Sequence, residues 1–217
     1  MIKCAIFDLD GTLLNTLTTI THYVNLVISR YGIREISEEE CKYFVGNGAK
    51  TLIDRTAASR GINDKELISR ILEEYNREYN NNTLYLTKPY EGICELLSSL
   101  KDKGIKLAVL SNKPDGTAKN IIPAFFPDTF ATVHGGREGI PLKPAPDGAF
   151  EIYKEFGASS EEIIYVGDTN VDMQTGKNAG AALTVGVSWG FRPREELISS
   201  GADVVIDKPC ELLNFLK

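Results

Sequence analysis

Histidine and cysteine are both scarce in this 217-residue sequence, with two and four copies, and neither set has metal-ligand spacing. Cys4, Cys41, Cys94 and Cys210 stand singly, which excludes a disulfide framework and paired-thiol redox chemistry. Buried free thiols in a reducing compartment are expected instead. His22 lies on a helical stretch and His134 near a strand end, and ordinary structural roles are expected for both. No apolar run approaches the length of a bilayer span. Met1-Ile2-Lys3 runs straight into a strand-like segment, so no signal peptide and a cytoplasmic location are expected. Basic residues are also outnumbered: 24 Lys and Arg against 30 Asp and Glu give a net charge of -6. That balance argues against a general nucleic-acid or anionic-membrane binder. A small anionic partner stays open, because a metal or a local cation cluster reverses the field at one point.

What is present is ordinary in bulk and specific in pattern. Hydrophobic residues make up 42% and charged residues 25%, as in many soluble enzymes. The length allows one large domain or two modest ones. Cys4 to Phe7, Ile105 to Leu110, Ile163 to Val166 and Leu183 to Val187 read as buried strands, with shorter ones near Phe130 to Val133 and Val204 to Ile206. Helical stretches alternate with them, including Phe150 to Phe156, so the pattern predicts an α/β fold with a Rossmann-like parallel sheet flanked by helices. Residues 15–87 break the rhythm. Leu17, Ile20, Val24, Val27 and Tyr31 mark one helical face, Ser37-Glu38-Glu39-Glu40 has the form of a capping box, and a long helix follows Asp64. The expected organisation is a core of residues 1–14 and 88–217, with an all-helical domain of residues 15–87 inserted after the first strand.

Three strands end in polar clusters. The first runs into Asp8-Leu9-Asp10-Gly11-Thr12, the second into Ser111-Asn112-Lys113, and the one from Ile163 into Gly167-Asp168-Thr169-Asn170-Val171-Asp172. In an open parallel sheet the carboxyl ends of the strands share one edge, where ligands bind. Lys143-Pro144 is placed to add a cation there. Carboxylates at the end of a core strand are costly unless a cation meets them. Asp8, Asp10 and Asp168 are hard oxygen donors suited to Mg²⁺, which answers that cost. Ser111 and the backbone amide of Asn112 suit phosphate oxygens, Lys143 neutralises them, and Gly11 lets backbone approach a ligand. One carboxylate could attack phosphorus to form an aspartyl phosphate, and a second, two residues on, could protonate the leaving alkoxide and then activate water.

Other readings of these stretches fit less well. Asp-x-Asp-Gly alone is common in turns. As a calcium loop it fails, with Leu13 where glycine is needed and Thr19 where glutamate is needed. Val45-Gly46-Asn47-Gly48-Ala49-Lys50-Thr51 is not a P-loop, because Ala49 separates Gly48 from Lys50, and no strand precedes it. A loop between two helices is the plain reading. Its amides, with Asn47 and a helix starting near Gly48, could also receive a small carboxylate.

Taken together, Asp8-Leu9-Asp10-Gly11-Thr12, Ser111-Asn112, Lys143-Pro144 and Gly167-Asp168 with Asp172 resemble the four motifs of the haloacid dehalogenase-like hydrolases, in order along nearly the whole chain. The helical insert resembles that family's cap domain. "VGNGAKTLI", "LSNKP", "LKPAPDGAF" and "GVSWGFRPREEL" are most similar to its phosphoglycolate phosphatase-like members. The resemblance implies Asp8 as nucleophile and Asp10 as acid and base. It implies Mg²⁺ held by Asp8, Asp168 and the backbone carbonyl of Asp10, which frees the Asp10 side chain to move a proton. Asp172 then orients metal-bound water from outside the ligand set. Gly11, Thr12, Ser111, Asn112 and Lys143 fall on the phosphate, and Asn47 and Gly48 on the substrate-selecting part of the cap. Asp10 argues against haloacid dehalogenation and against phosphonoacetaldehyde hydrolysis, whose enzymes lack it. Ile20 replaces the cap histidine of β-phosphoglucomutase-type mutases, and Asn15 replaces an aspartate common after the first motif.

The resulting expectation is a Mg²⁺-dependent phosphatase for a small phosphorylated metabolite, with 2-phosphoglycolate first. Pyrophosphate, nucleotides and sugar phosphates are the alternative substrates, a mutase is a more distant one, and a non-catalytic phosphate sensor is the rival outside enzymes. A monomer or homodimer is expected, with no nucleic-acid or membrane partner.

Overall fold

The computed structural model describes residues 1–216. In chain order the elements are β1 (Cys4–Phe7), β2 (Leu14–Asn15), α1 (Leu17–Ser29), α2 (Glu38–Phe44), α3 (Gly48–Ser59), α4 (Lys65–Asn81) and β3 (Lys88–Pro89). There follow α5 (Ile93–Asp102), β4 (Lys106–Pro114), α6 (Asp115–Phe125), β5 (Thr132–Gly136), α7 (Asp147–Phe156) and β6 (Ile163–Gly167). The chain closes with α8 (Asn170–Asn178), β7 (Leu183–Val187), α9 (Arg194–Ser199), β8 (Val204–Ile206) and a 3₁₀ segment, Pro209–Phe215. It forms two compact units, one of Met1–Asn15 with Pro89 onward and one of Thr16–Lys88.

The first unit is the α/β body. Its six-stranded sheet has the order β5-β4-β1-β6-β7-β8, and every pair is parallel. β1 is buried along its whole length and takes β4 on one side and β6 on the other. The chain therefore builds outward from β1 in one direction and then returns to build in the other. The carboxyl ends of β1, β4 and β6 flank that reversal, where an open α/β sheet leaves a crevice. Cys4, Ile6, Ala108, Leu110, Ile152, Ile163 and Tyr165 pack together in the layer beneath α7. The parallel α/β architecture is the one the strand-helix alternation predicts.

Some boundaries moved. β4 does not stop at Leu110 but continues through Ser111-Asn112-Lys113 to Pro114, because its end pairs with Gly136 of β5 across an irregular register. β5 begins at Thr132 rather than Phe130, and α7 begins at Asp147, one turn before Phe150. The cysteines also divide. Cys4 and Cys41 are buried, but Cys94 and Cys210 are exposed, all four as free thiols. The buried face of α5 is Ile93, Leu96, Leu97 and Leu100, so Cys94 falls on the other face. Expecting all four inside overlooked that phase.

The second unit is four helices. Ser37 caps α2 with a capping box through Glu40, and Asp64 caps α4 through the amides of Glu66 and Leu67, each worth about 1 kcal/mol. Tyr23 of α1 meets Tyr79 of α4 edge-on, with ring centroids 5.5 Å apart. Arg30 reaches Glu74 and Glu78 across the same two helices, at 2.8 Å each. His22 rests against the rings of Tyr23 and Tyr85. In the α/β body, His134 bonds Glu155 at 2.9 Å.

Candidate active site

Asp8 is the first residue past β1, and its backbone N–H still donates to the Val166 carbonyl of β6, at 2.9 Å. Ladder pairing thus aims one carboxylate at the crevice from the sheet's centre. Asp168 follows β6 directly and is wholly buried. Its Oδ1 accepts from the Thr12 hydroxyl at 2.8 Å and its Oδ2 from the Phe191 amide at 2.8 Å. Asp172 sits in the first turn of α8, where Thr169 caps the helix. Asp172 Oδ2 accepts from the Thr169 hydroxyl at 2.6 Å, and Oδ1 accepts from Lys143 Nζ at 2.7 Å.

Lys143 bridges two of these acids. Its Nζ lies 2.8 Å from Asp8 Oδ1 as well, an ion-pair contact without hydrogen-bond geometry, since that oxygen has no hydrogen-bond partner among the described residues. The side chain of Asn112 holds the lysine in place: its amide donates to the Lys143 carbonyl at 3.0 Å, and its oxygen accepts the Lys143 amide at 2.9 Å. This reciprocal pair locks a loop residue to β4. The Asn112 side chain is therefore turned to Lys143, while the Ser111 hydroxyl accepts the Lys113 amide at 3.3 Å.

Asp10 takes a different direction. Its Oδ2 lies 3.0 Å from Lys113 Nζ, and its Oδ1 is buried with no hydrogen-bond partner among the described residues. A buried carboxylate oxygen left unmatched is costly, so it marks a place for another group.

Carboxylate oxygens of Asp8, Asp168 and Asp172 lie within 4.8 Å of one another. Burial and then the Asp172 charge push Asp8 up to about 7, against the pull of Lys143. Burial, Asp172 and Asp8 raise Asp168 well above the carboxylate range. Burial alone would lower Lys143, but Asp172 and Asp8 more than offset it and hold the ammonium charged. Fully ionised, the four carboxylates would exceed the two ammonium groups by two negative charges, which one divalent cation would cancel. Hard oxygen donors in a buried cluster fit such an ion.

Gly11 has φ +87, and a Cβ there would fall on the Asp168 carboxylate. A Cβ at Gly190 would fall on the same side chain. Both glycines therefore pack directly against Asp168, a tighter reason for Gly11 than ligand approach alone.

The structure thus brings Asp8, Asp168, Asp172, Lys143, Thr12, Gly11 and Asn112 into one cluster, while Asp10 and Ser111 both contact Lys113. Asn47 and Gly48 belong to the helical unit. There Asn47 is the residue before α3, its Oδ1 accepts from Arg55 at 3.0 Å, and Gly48 has φ +83. Sequence reasoning assigned no role to Lys113, Thr169, Trp189, Gly190 or Phe191. Trp189 donates its indole N–H to the Thr12 carbonyl at 3.1 Å. The capping pattern of Thr169 before Asp172 was readable; the reach of the Trp189 segment to Thr12 was not.

Comparison with known proteins agrees with this architecture. Residues 5–185 match the family model of the haloacid dehalogenase-like hydrolases. The phosphoglycolate phosphatase of Haemophilus influenzae is 31% identical over 97% of this chain and 96% of its own. The N-acetylmuramic acid 6-phosphate phosphatase of Pseudomonas aeruginosa is 27% identical over 99% of this chain and 95% of its own. A solved structure of a candidate phosphoglycolate phosphatase from Lactobacillus delbrueckii subsp. bulgaricus superposes with a TM-score of 0.93. It shares 32% identity and covers 99% of this chain and 98% of its own. The chain belongs to the haloacid dehalogenase-like hydrolases, and within them it is most like the phosphoglycolate phosphatases.

Proposed function

We propose that this protein is a Mg²⁺-dependent phosphatase of small phosphate monoesters, with 2-phosphoglycolate as its leading substrate and an aspartyl phosphate on Asp8 as its intermediate. The observation that carries the reading is Lys143, buried and ion-paired to both Asp8 and Asp172, beside the Asp8–Asp168–Asp172 carboxylates. A cation locked against a buried nucleophile is the arrangement phosphoryl transfer needs.

Asp8, Asp168 and the Asp10 backbone carbonyl would hold a Mg²⁺, which would supply positive charge to keep Asp8 ionised and to shield the phosphoryl oxygens. Asp8 attacks phosphorus, and the bond from phosphorus to the ester oxygen breaks. Asp10 gives its proton to the departing alkoxide, through the oxygen that has no hydrogen-bond partner among the described residues. Lys143 and Ser111 hold the equatorial oxygens, and Asn112 fixes where Lys143 can reach. Asp10 then takes a proton from water as it attacks the acyl phosphate, which releases phosphate and restores Asp8. Asp172 and Thr169 keep Lys143 aligned throughout. We assign the helical unit the role of the family's cap, with Asn47 and Gly48 as its contribution to substrate choice.

The relative named for N-acetylmuramic acid 6-phosphate supports a sugar phosphate as the second reading. Kinetics on a panel of phosphate esters, including 2-phosphoglycolate, sugar phosphates, nucleotides and pyrophosphate, separates the substrates. For the mechanism, Asp8→Asn should abolish turnover of p-nitrophenyl phosphate and any trapping by fluoroberyllate, because an amide is neither nucleophile nor good metal ligand. Turnover surviving in that variant would refute the covalent step.

A further inference from the structure

One buried cation has no part in the mechanism above. The Lys113 side chain is 7% exposed, and its Nζ lies 3.0 Å from Asp10 Oδ2. The two lysines of the site sit at opposite tasks. Lys143 meets the nucleophile Asp8, whereas Lys113 meets the proton donor Asp10. In phosphoryl transfer the attacking and leaving oxygens lie roughly in line through phosphorus. Lys143 therefore belongs to the transferred phosphoryl group and Lys113 to the leaving-group side.

The placement is built rather than incidental. β4 carries on past Leu110 to Pro114, so consecutive residues of one strand serve the two tasks. Asn112 grips the Lys143 backbone, and Lys113 grips the Asp10 carboxylate. Asp10 meets Lys113 through Oδ2, and its other oxygen, Oδ1, is buried with no hydrogen-bond partner among the described residues. If Oδ1 serves the leaving oxygen, the Lys113 ammonium stands one carboxyl group away from that oxygen. A carboxylate on the carbon next to the ester oxygen extends by a comparable length. An ammonium presents its charge in every direction and tolerates two anions at once.

We infer that Lys113 is a specificity residue that selects esters whose leaving group carries a carboxylate on the adjacent carbon: the phosphate esters of short 2-hydroxy acids. The inference rests on the phosphatase reading and places leaving-group recognition inside the α/β body. It is independent of what Asn47 and Gly48 do in the helical unit.

The test compares kcat/KM for 2-phosphoglycolate with that for 2-hydroxyethyl phosphate, which replaces the carboxylate by a neutral CH₂OH. Wild-type protein in Mg²⁺ should favour the carboxylate ester by about tenfold or more, as expected for a charged hydrogen bond. Lys113→Met and Lys113→Gln should reduce that ratio by at least about tenfold, mainly through KM, even if rates on both esters fall. Lys113→Arg, which keeps the charge, should hold the ratio within about threefold of wild type. An unchanged ratio in the Met and Gln variants would mean that Lys113 only holds Asp10, and would overturn the inference. A wild-type protein that hydrolyses both esters equally well overturns it without any variant, and leaves the phosphatase reading standing. A wild-type protein that hydrolyses neither ester, nor p-nitrophenyl phosphate, refutes both.

Discussion

At the scale of single residues, the site is organised by which charges share a partner. Lys143 is shared by Asp8 and Asp172, with side-chain exposures of 3%, 9% and 0% for the three. Removing one member of such a group leaves uncompensated buried charge, which costs about 3–5 kcal/mol. Lys143→Ala should therefore lose stability as well as activity, with kcat reduced on the order of a hundredfold or more. Lys143→Arg should recover little of the rate, because a planar fork does not fit where one point charge meets two carboxylates. Steady-state kinetics alongside urea unfolding checks both effects. A stable Lys143→Ala protein with a near-normal rate would remove Lys143 from the mechanism. The position of Lys143 before a helix was legible in the sequence. Its grip by Asn112 was not, because a side chain bonding both polar groups of a distant backbone leaves no periodic trace.

At the scale of elements, close packing of loops against Asp168 controls the site. Gly190 sits in the turn after β7, which also supplies the Phe191 amide and the Trp189 indole. A methyl at Gly190 would overlap the Asp168 side chain, so Gly190→Ala should cost about 1–3 kcal/mol and lower activity by displacing that carboxylate. Gly116 is the opposite case. It lies within α6, and a methyl there meets nothing within 4 Å. Gly116→Ala should raise stability by about 0.4–1 kcal/mol through the unfolded chain. Thermal or chemical unfolding of the pair reads both signs. A Gly190→Ala protein as stable and active as wild type would show that the turn after β7 yields easily.

At the scale of the whole molecule, the excess of carboxylates links stability to pH and to metal. Without a cation, burial and Asp172 hold the folded-state Asp8 near 7, above its ordinary value of 3.8. Between those values the folded chain keeps a proton that the unfolded chain releases. This contribution to stability is therefore present below about pH 4 and is lost as pH rises toward 7. A Mg²⁺ bound among these acids, as proposed, would compete with that proton. Saturating Mg²⁺ should raise Tm by about 5 °C or more at pH 8 and by clearly less at pH 5. Thermal shift measurements with and without Mg²⁺ at the two pH values decide it. Equal shifts at both, or none at pH 8, would argue against a cation among these acids.

The sequence by itself determined the α/β architecture and the chain order of the six strands of its main sheet, but not the two-residue β2 and β3. Those features are written locally, in runs of buried residues, capping patterns and acids that follow strands. It also suggested a helical insert over residues 15–87, although Asn15 lies in β2 and the compact helical unit runs Thr16–Lys88. Only the tertiary structure decided which charges meet. Thr12 bonds Asp168 across 156 positions and Trp189 bonds Thr12 across 177. Lys113 turns to Asp10 while its neighbour Asn112 turns to Lys143. The physical reason is that side-chain pairing at a sheet edge depends on strand order, and β1 lies between β4 and β6 only once the sheet has formed.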